Sequence, residues 1–188
     1  MIEQSPYALT VSDGFNQELI LKDTWLVILH ASRTPPHIGL LVNGNYNSLT
    51  IKGHELNIDL KILLKTIQQK KIETLFVKLQ KHPVFSLDYQ KEICQLYIQK
   101  FHQVKVNEAS CLSPIKLFLQ EFYALDIRQD ELLFELIERL KLNNYIAMTL
   151  GLNIESNKLE NYEFSLPMYS NSELQEIIKT ERSNYYKE

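Results

Sequence analysis

Glycine is scarce in this chain, with five residues in 188. Gly14, Gly39, Gly44, Gly53 and Gly151 form neither GxGxxG nor GxxxxGK. No phosphate-cradling loop is therefore visible, and no cofactor of the nucleotide class is expected. Cysteine is scarcer still. Cys94 and Cys111 stand alone with no CxxC, which argues against a disulfide framework or a cysteine-rich zinc site. Two free thiols suit a reducing cytoplasm. The longest apolar runs, residues 25–29 and 38–42, fall far short of the roughly 20 residues that span a bilayer. Residues 1–6 carry no basic or apolar leader segment, so no secretory signal is expected. The net charge is −3, which gives no reason to expect nucleic acid as a partner. One basic stretch, residues 61–81, holds six lysines against Glu73 alone. Those lysines fall on the polar side of a helix or at a strand end, without interleaved aromatics to stack bases, so they read as a solvated face.

What is present describes one domain, residues 1–188, with 45% hydrophobic and 23% charged residues, a balance that supports a packed core. Strands come first. Residues 25–30 are densely apolar, and Pro35 and Pro36 interrupt the run because neither can donate to a ladder. Residues 37–42 form a second strand. Asn43-Gly44-Asn45 suits a tight hairpin turn, residues 46–52 return, and residues 74–79 make a further strand before Pro83. Helices lie between and after them. Leu56, Leu60, Leu63, Leu64 and Ile67 keep a 3.6-residue stripe, with Asn57 as N-cap and Asp59 in the first turn. Residues 87–102 form a helix with Cys94 on its apolar side, as a small core residue. Ile115, Phe118, Leu119 and Phe122 give the helix after Cys111 its buried face. Asp130 caps another helix, and a last one starts near Ser172 with Leu174, Ile177 and Ile178 inward. Residues 152–170 read as a long surface excursion. The fold class is α+β, a small antiparallel sheet packed against helices.

A cysteine nucleophile needs a thiol of low pKa, a base within reach and space for substrate. Cys111 precedes a helix, where the dipole and free N–H groups favour a thiolate. Two registers are open: Ser110 as N-cap with Cys111 the first helical residue, or Ser113 as N-cap with Pro114 first, where proline fits well. His37 opens a strand after two prolines, and Gly39 follows on its face, leaving space for a helix or ligand to approach. A Cys111 sulfur within about 4 Å of a His37 ring nitrogen is expected of such a pair.

The stretch Pro36-His37-Ile38-Gly39-Leu40-Leu41-Val42-Asn43-Gly44 resembles the His-x-Gly strand and turn of circularly permuted papain-like cysteine hydrolases. That group includes lecithin–retinol acyltransferase relatives and cell-wall peptidases of the NlpC type. The order of return strand, helix, strand, helix and then cysteine is also similar, over residues 24–125. The resemblance implies a permuted papain-like core there, with residues 126–188 as a helical C-terminal extension. It implies acyl transfer, with Cys111 as nucleophile, His37 as base and a third polar residue orienting the imidazole. His54 is the favoured orienter, ahead of Ser48, Thr50 and Glu55. The implied substrate is a small acylated or peptide-like molecule. Leu112-Ser113-Pro114 departs from the family's more polar continuation after the cysteine.

Two other readings compete. A papain-like frame without catalysis would serve as a binding protein, with a protein partner held through the tyrosine-containing C-terminal region. A metal site from His30, His37, His54 and Cys111 has suitable ligand types, although no two of them share one element at ligand spacing.

Overall fold

The structure is a computed structural model that describes residues 7–12 and 14–185. Residues 1–6, on which the leader reading rests, and Tyr186 lie outside the described residues. Strand β1 (Ala8–Thr10) and the short helix α1 (Gln17–Ile20) lead into β2 (Thr24–Leu29). β2 is apolar at nearly every position because it is buried on both faces. Trp25 and Val27 point to one core, while Leu26 and Ile28 point to the other. β3 (His37–Val42) and β4 (Asn45–Thr50) follow as a hairpin. Its two-residue turn takes positive φ at Asn43 (48°) and Gly44 (75°), the conformation that Asn-Gly adopts most readily.

The next element differs from the sequence reading. Residues expected to begin a helix at Asn57 instead form β5 (Gly53–Asp59). Helix α2 (Leu60–Gln69) starts only after Asp59, whose carboxylate accepts Lys61 N–H at 2.8 Å as the true N-cap. Its buried residues are Leu60, Leu63, Leu64 and Ile67, the stripe visible in the sequence, and its lysines face solvent. β6 (Thr74–Leu79) and α3 (Leu87–Gln99) agree closely with expectation, and Cys94 is buried in the core. Helix α4 (Ser113–Tyr123) buries Ile115, Phe118, Leu119 and Phe122 as read.

Helix α5 (Leu133–Leu142) is not capped by Asp130. Its N-cap is Leu132, whose N–H is taken by Glu135 Oε2 at 2.7 Å. The region after residue 126 is also more than a helical extension. β7 (Ile146–Leu152) is the edge strand of the main sheet, paired with β6. The supposed surface excursion contains β8 (Glu163–Ser165), which pairs with β1, and buries Phe164, Leu166 and Tyr169. β1 and β8 therefore form a small second sheet before α6 (Asn171–Tyr185).

The fold is α+β. Its main sheet has six antiparallel strands in the order β5-β4-β3-β2-β6-β7. Helices α3, α4 and α5 cover one face, and α2 covers the other. Each large apolar side chain enclosed in these layers stabilises by about 1.5–3 kcal/mol. No helix among the described residues is long and apolar enough to cross a membrane.

The β4–β5 pairing contains a bulge. Tyr46 lies opposite Ile58, yet Ser48 lies opposite Glu55, so β5 carries one extra residue. Asn57 absorbs it with φ of 55°, and the buried Asn47 side chain accepts its stranded N–H at 2.9 Å.

Gly39 has a different use from the one expected. The space over it is filled by the Tyr46 ring, since a Cβ there would lie 2.4 Å from Tyr46 Cε2 and 2.6 Å from its hydroxyl. That hydroxyl is buried and has no hydrogen-bond partner of ordinary geometry among the described residues. Gly39→Ala is expected to cost about 1–3 kcal/mol by overpacking, read as a lower urea midpoint. Tyr46→Leu in the same background should recover part of the loss, because the clash is with the ring. Equal midpoints for wild type and Gly39→Ala would contradict this packing.

Candidate active site

His37 opens β3 at the end of the sheet where β3 and β4 separate. Their pairing begins only at Gly39 and Ser48. Across this gap His37 Nε2 lies 3.2 Å from Ser48 Oγ, and Ser48 Oγ donates to Glu55 Oε2 at 2.7 Å. The serine has one proton, and the carboxylate takes it. Ser48 must then accept from Nε2–H, which assigns the tautomer and leaves the lone pair on Nδ1. The bulge makes this chain, because an unbroken register would set Leu56 rather than Glu55 opposite Ser48.

The hydrogen-bond chain from His37 thus runs to Ser48 and Glu55, and His54 is not part of it. His54 sits next to Glu55, but its side chain is exposed, and its Nε2 hydrogen-bonds Phe101 O at 2.5 Å. Adjacent strand residues point to opposite faces, so only one of the two could reach Ser48. Both Ser48 and Glu55 stood within the expected stretch; the missing clue was the bulge that brings them into line.

Cys111 lies just before α4, in neither anticipated register. Leu112 is the N-cap, Ser113 the first helical residue and Pro114 the second. Proline costs nothing there, since the first four N–H groups of a helix have no intrahelical acceptor. Two serines fix the approach. Ser110 Oγ accepts Leu112 N–H at 3.2 Å, and Ser113 Oγ accepts Ser110 N–H at 2.9 Å.

The electrostatics reverse the expected thiolate. Burial pushes the Cys111 thiol up to about 11, against the opposing pull of backbone N–H groups from Ile38, Cys111 itself and Leu112. Burial also lowers His37, assisted by His30 and Arg33 and opposed by Glu55. The resting pair at neutral pH is therefore a neutral thiol and a neutral imidazole. No hydrogen bond joins Cys111 to His37 among the described residues.

Both residues border one cavity of about 320 Å³, walled by Leu29, Ile51, Ile177 and Ile178. A second cavity, of about 220 Å³, also reaches Cys111 and extends past Lys116 and Gln175. Helix α6 contributes residues to both. Lys116 went unnoticed in the sequence, although a lysine directly after Ile115 on a core-facing helix was a signal that could have been followed. His30, His37, His54 and Cys111 make no group of three or more ligands able to hold a metal ion among the described residues.

Two measurements follow from these charges. Iodoacetamide labelling of Cys111 should climb about tenfold per pH unit up to near its raised pKa instead of levelling off around 9. Cys94, buried and pushed up to about 12, should stay unlabelled until the chain unfolds. His37 gives a slope on the acid side. Its folded pKa lies below the ordinary 6.5, so the unfolded chain binds the proton more readily. Its contribution to stability is full above about 6.5 and is lost as the pH falls through the folded value. Replacing His37 with Gln should flatten that part of the stability-against-pH curve, measured by urea unfolding; an unchanged slope would contradict the depressed pKa.

No protein-family model, curated protein or solved structure matches the chain.

Proposed function

We propose that this protein is a thiol-dependent amide or ester hydrolase, or an acyltransferase, built on a permuted papain-like core. The observation that carries this reading is the Glu55–Ser48–His37 chain, which fixes one imidazole tautomer beside a cavity shared with Cys111. A base held through Nε2 keeps its Nδ1 lone pair for a proton. The reducing compartment suggested by two free thiols is consistent with such a nucleophile.

The charges favour a general-base route over a stored ion pair. His37 Nδ1 takes the Sγ proton as the sulfur attacks the acyl carbon and the S–C bond forms. Backbone N–H groups of Ile38 and Cys111 favour negative charge at the sulfur and suit charge developing beside it, while Leu112 N–H is already taken by Ser110 Oγ. Collapse breaks the bond to the leaving amine or alcohol, which departs with the His37 proton. Water or an acceptor then attacks the thioester and restores the thiol. Proximity of Nδ1 and Sγ is needed at that moment, and catalytic contacts of this kind commonly tighten on substrate binding.

A second reading is a non-catalytic binding protein with the same frame. The missing Cys111–His37 hydrogen bond and the raised thiol favour it. Acyl-directed activity probes separate the two. The catalytic reading expects covalent capture at Cys111, abolished in Cys111→Ala and slowed about 10²–10⁴-fold in His37→Ala. Absence of capture across the pH range in which iodoacetamide labels Cys111 would favour the binding protein.

A further inference from the structure

The two cavities that meet at Cys111 differ in chemistry. The larger has Leu29, Ile51, Val104, Ile177 and Ile178 on its wall beside the charged Arg33, Glu55 and Glu181, and its apolar stretch suits an acyl chain. The smaller contains a buried cation. Lys116 is 4% exposed, and its Nζ donates to Gln129 O at 2.7 Å. That carbonyl is its single direct acceptor among the described residues, although an ammonium has three N–H donors.

Glu131 borders the same cavity but is committed elsewhere. Arg139 binds both of its oxygens, at 2.8 and 2.9 Å, and Arg128 N–H adds a contact to Oε2 at 3.3 Å. It makes no ion pair with Lys116. Gln175 Oε1 accepts Asn107 N–H at 2.6 Å, which leaves the Gln175 NH₂ without a partner among the described residues. Burying a charge costs free energy unless it is paired. Burial accordingly draws the Lys116 pKa downward, with Glu131, Asp130 and Glu135 opposing and Arg128 adding to the fall. Lys116 and Gln175 therefore offer unused donors on the wall of a cavity that opens onto the candidate nucleophile.

We infer that this smaller cavity binds a carboxylate carried on the leaving-group side of the substrate, with Lys116 as the recognising cation. The inference rests on the acyl-transfer reading and narrows its substrate class to N-acyl amino acids and peptides cut before a C-terminal residue. In that reaction the Cys111 S–C bond forms, the amide C–N bond breaks, and the amine of the carboxylate-bearing product leaves with the His37 proton. Water then releases the acyl group as its acid.

The site can be tested without any turnover. Iodoacetamide alkylation of Cys111 in the full chain would be followed by peptide mapping in the presence of N-hexanoylglycine or its neutral amide, N-hexanoylglycinamide. The acid should protect Cys111 at about a tenfold lower concentration than the amide, the worth of one charge-assisted hydrogen bond. Lys116→Gln should erase the difference, and Lys116→Arg should retain it. Equal protection by acid and amide in the wild type, or protection by neither, overturns the proposal even if the Lys116 variants fail to fold. Selective protection with no acyl-probe capture would support the carboxylate site while refuting catalysis. Probe capture with no selectivity would do the reverse.

Discussion

The hydrogen bond from Asn57 N–H to the buried Asn47 side chain governs the geometry of the candidate site. A bulge strands one backbone N–H inside the sheet, and an unsatisfied buried donor costs about 1–3 kcal/mol. Asn47 meets that donor and uses its own NH₂ on Asn45 O at 3.0 Å, so both ends of the amide are employed. The extra residue can then stay where it is, and Glu55 faces Ser48. Without that one-residue offset, β5 would present Leu56 to Ser48 and the imidazole would lose its anchored tautomer. A contact remote from the sulfur thus decides which nitrogen of His37 is free.

Burial outweighs hydrogen bonding at both reactive groups. Three backbone N–H groups favour a Cys111 thiolate, yet the thiol rises to about 11. Glu55 favours an imidazolium, yet His37 is lowered. Both shifts stabilise uncharged forms, each through burial of the group itself. An ion pair would need two charges desolvated at once, which enclosed sites seldom support unless the partners touch. Here they do not hydrogen-bond, so the neutral thiol and neutral imidazole are the favoured resting forms.

Much of this arrangement was legible in the sequence where one residue type settles one local choice. Asn43-Gly44 marked the hairpin, and the α2 and α4 stripes marked their buried faces. What escaped depended on contacts distant in the chain. β5 has the burial alternation of a half-exposed strand, but Leu56 also fits the helical period of α2, and the helix reading took it. β7 and β8 carry weak patterns because each lies at an edge, where only part of the strand is enclosed. Cys111 and His37 could be named as candidates by residue type and chain order, and the structure places both on one cavity. The Ser48–Glu55 contact could not, since it depends on the bulged register that the Asn47–Asn57 contact accommodates.

The walls of the two cavities are held with unequal strength. Strands β3 and β4 and the start of α4 belong to the main core. Helix α6 has one fully buried side chain, Ile178, and polar ties to its surroundings. The Arg33–Glu181 pair, at 3.4 Å, is 60% and 45% exposed, and such pairs contribute about 0–1 kcal/mol. Asn171 donates to Asp130 O at 2.8 Å, and Arg182 donates to Val104 O at 2.6 Å. The core side therefore carries the imidazole and thiol of the larger cavity and the thiol and Lys116 of the smaller, while α6 supplies Leu174, Gln175 and Ile177. Geometry at the sulfur is set by the core, and α6 is the more weakly tied wall of both cavities. That division lets one helix bring an apolar contact to the first cavity and a polar contact to the second without disturbing the groups between them.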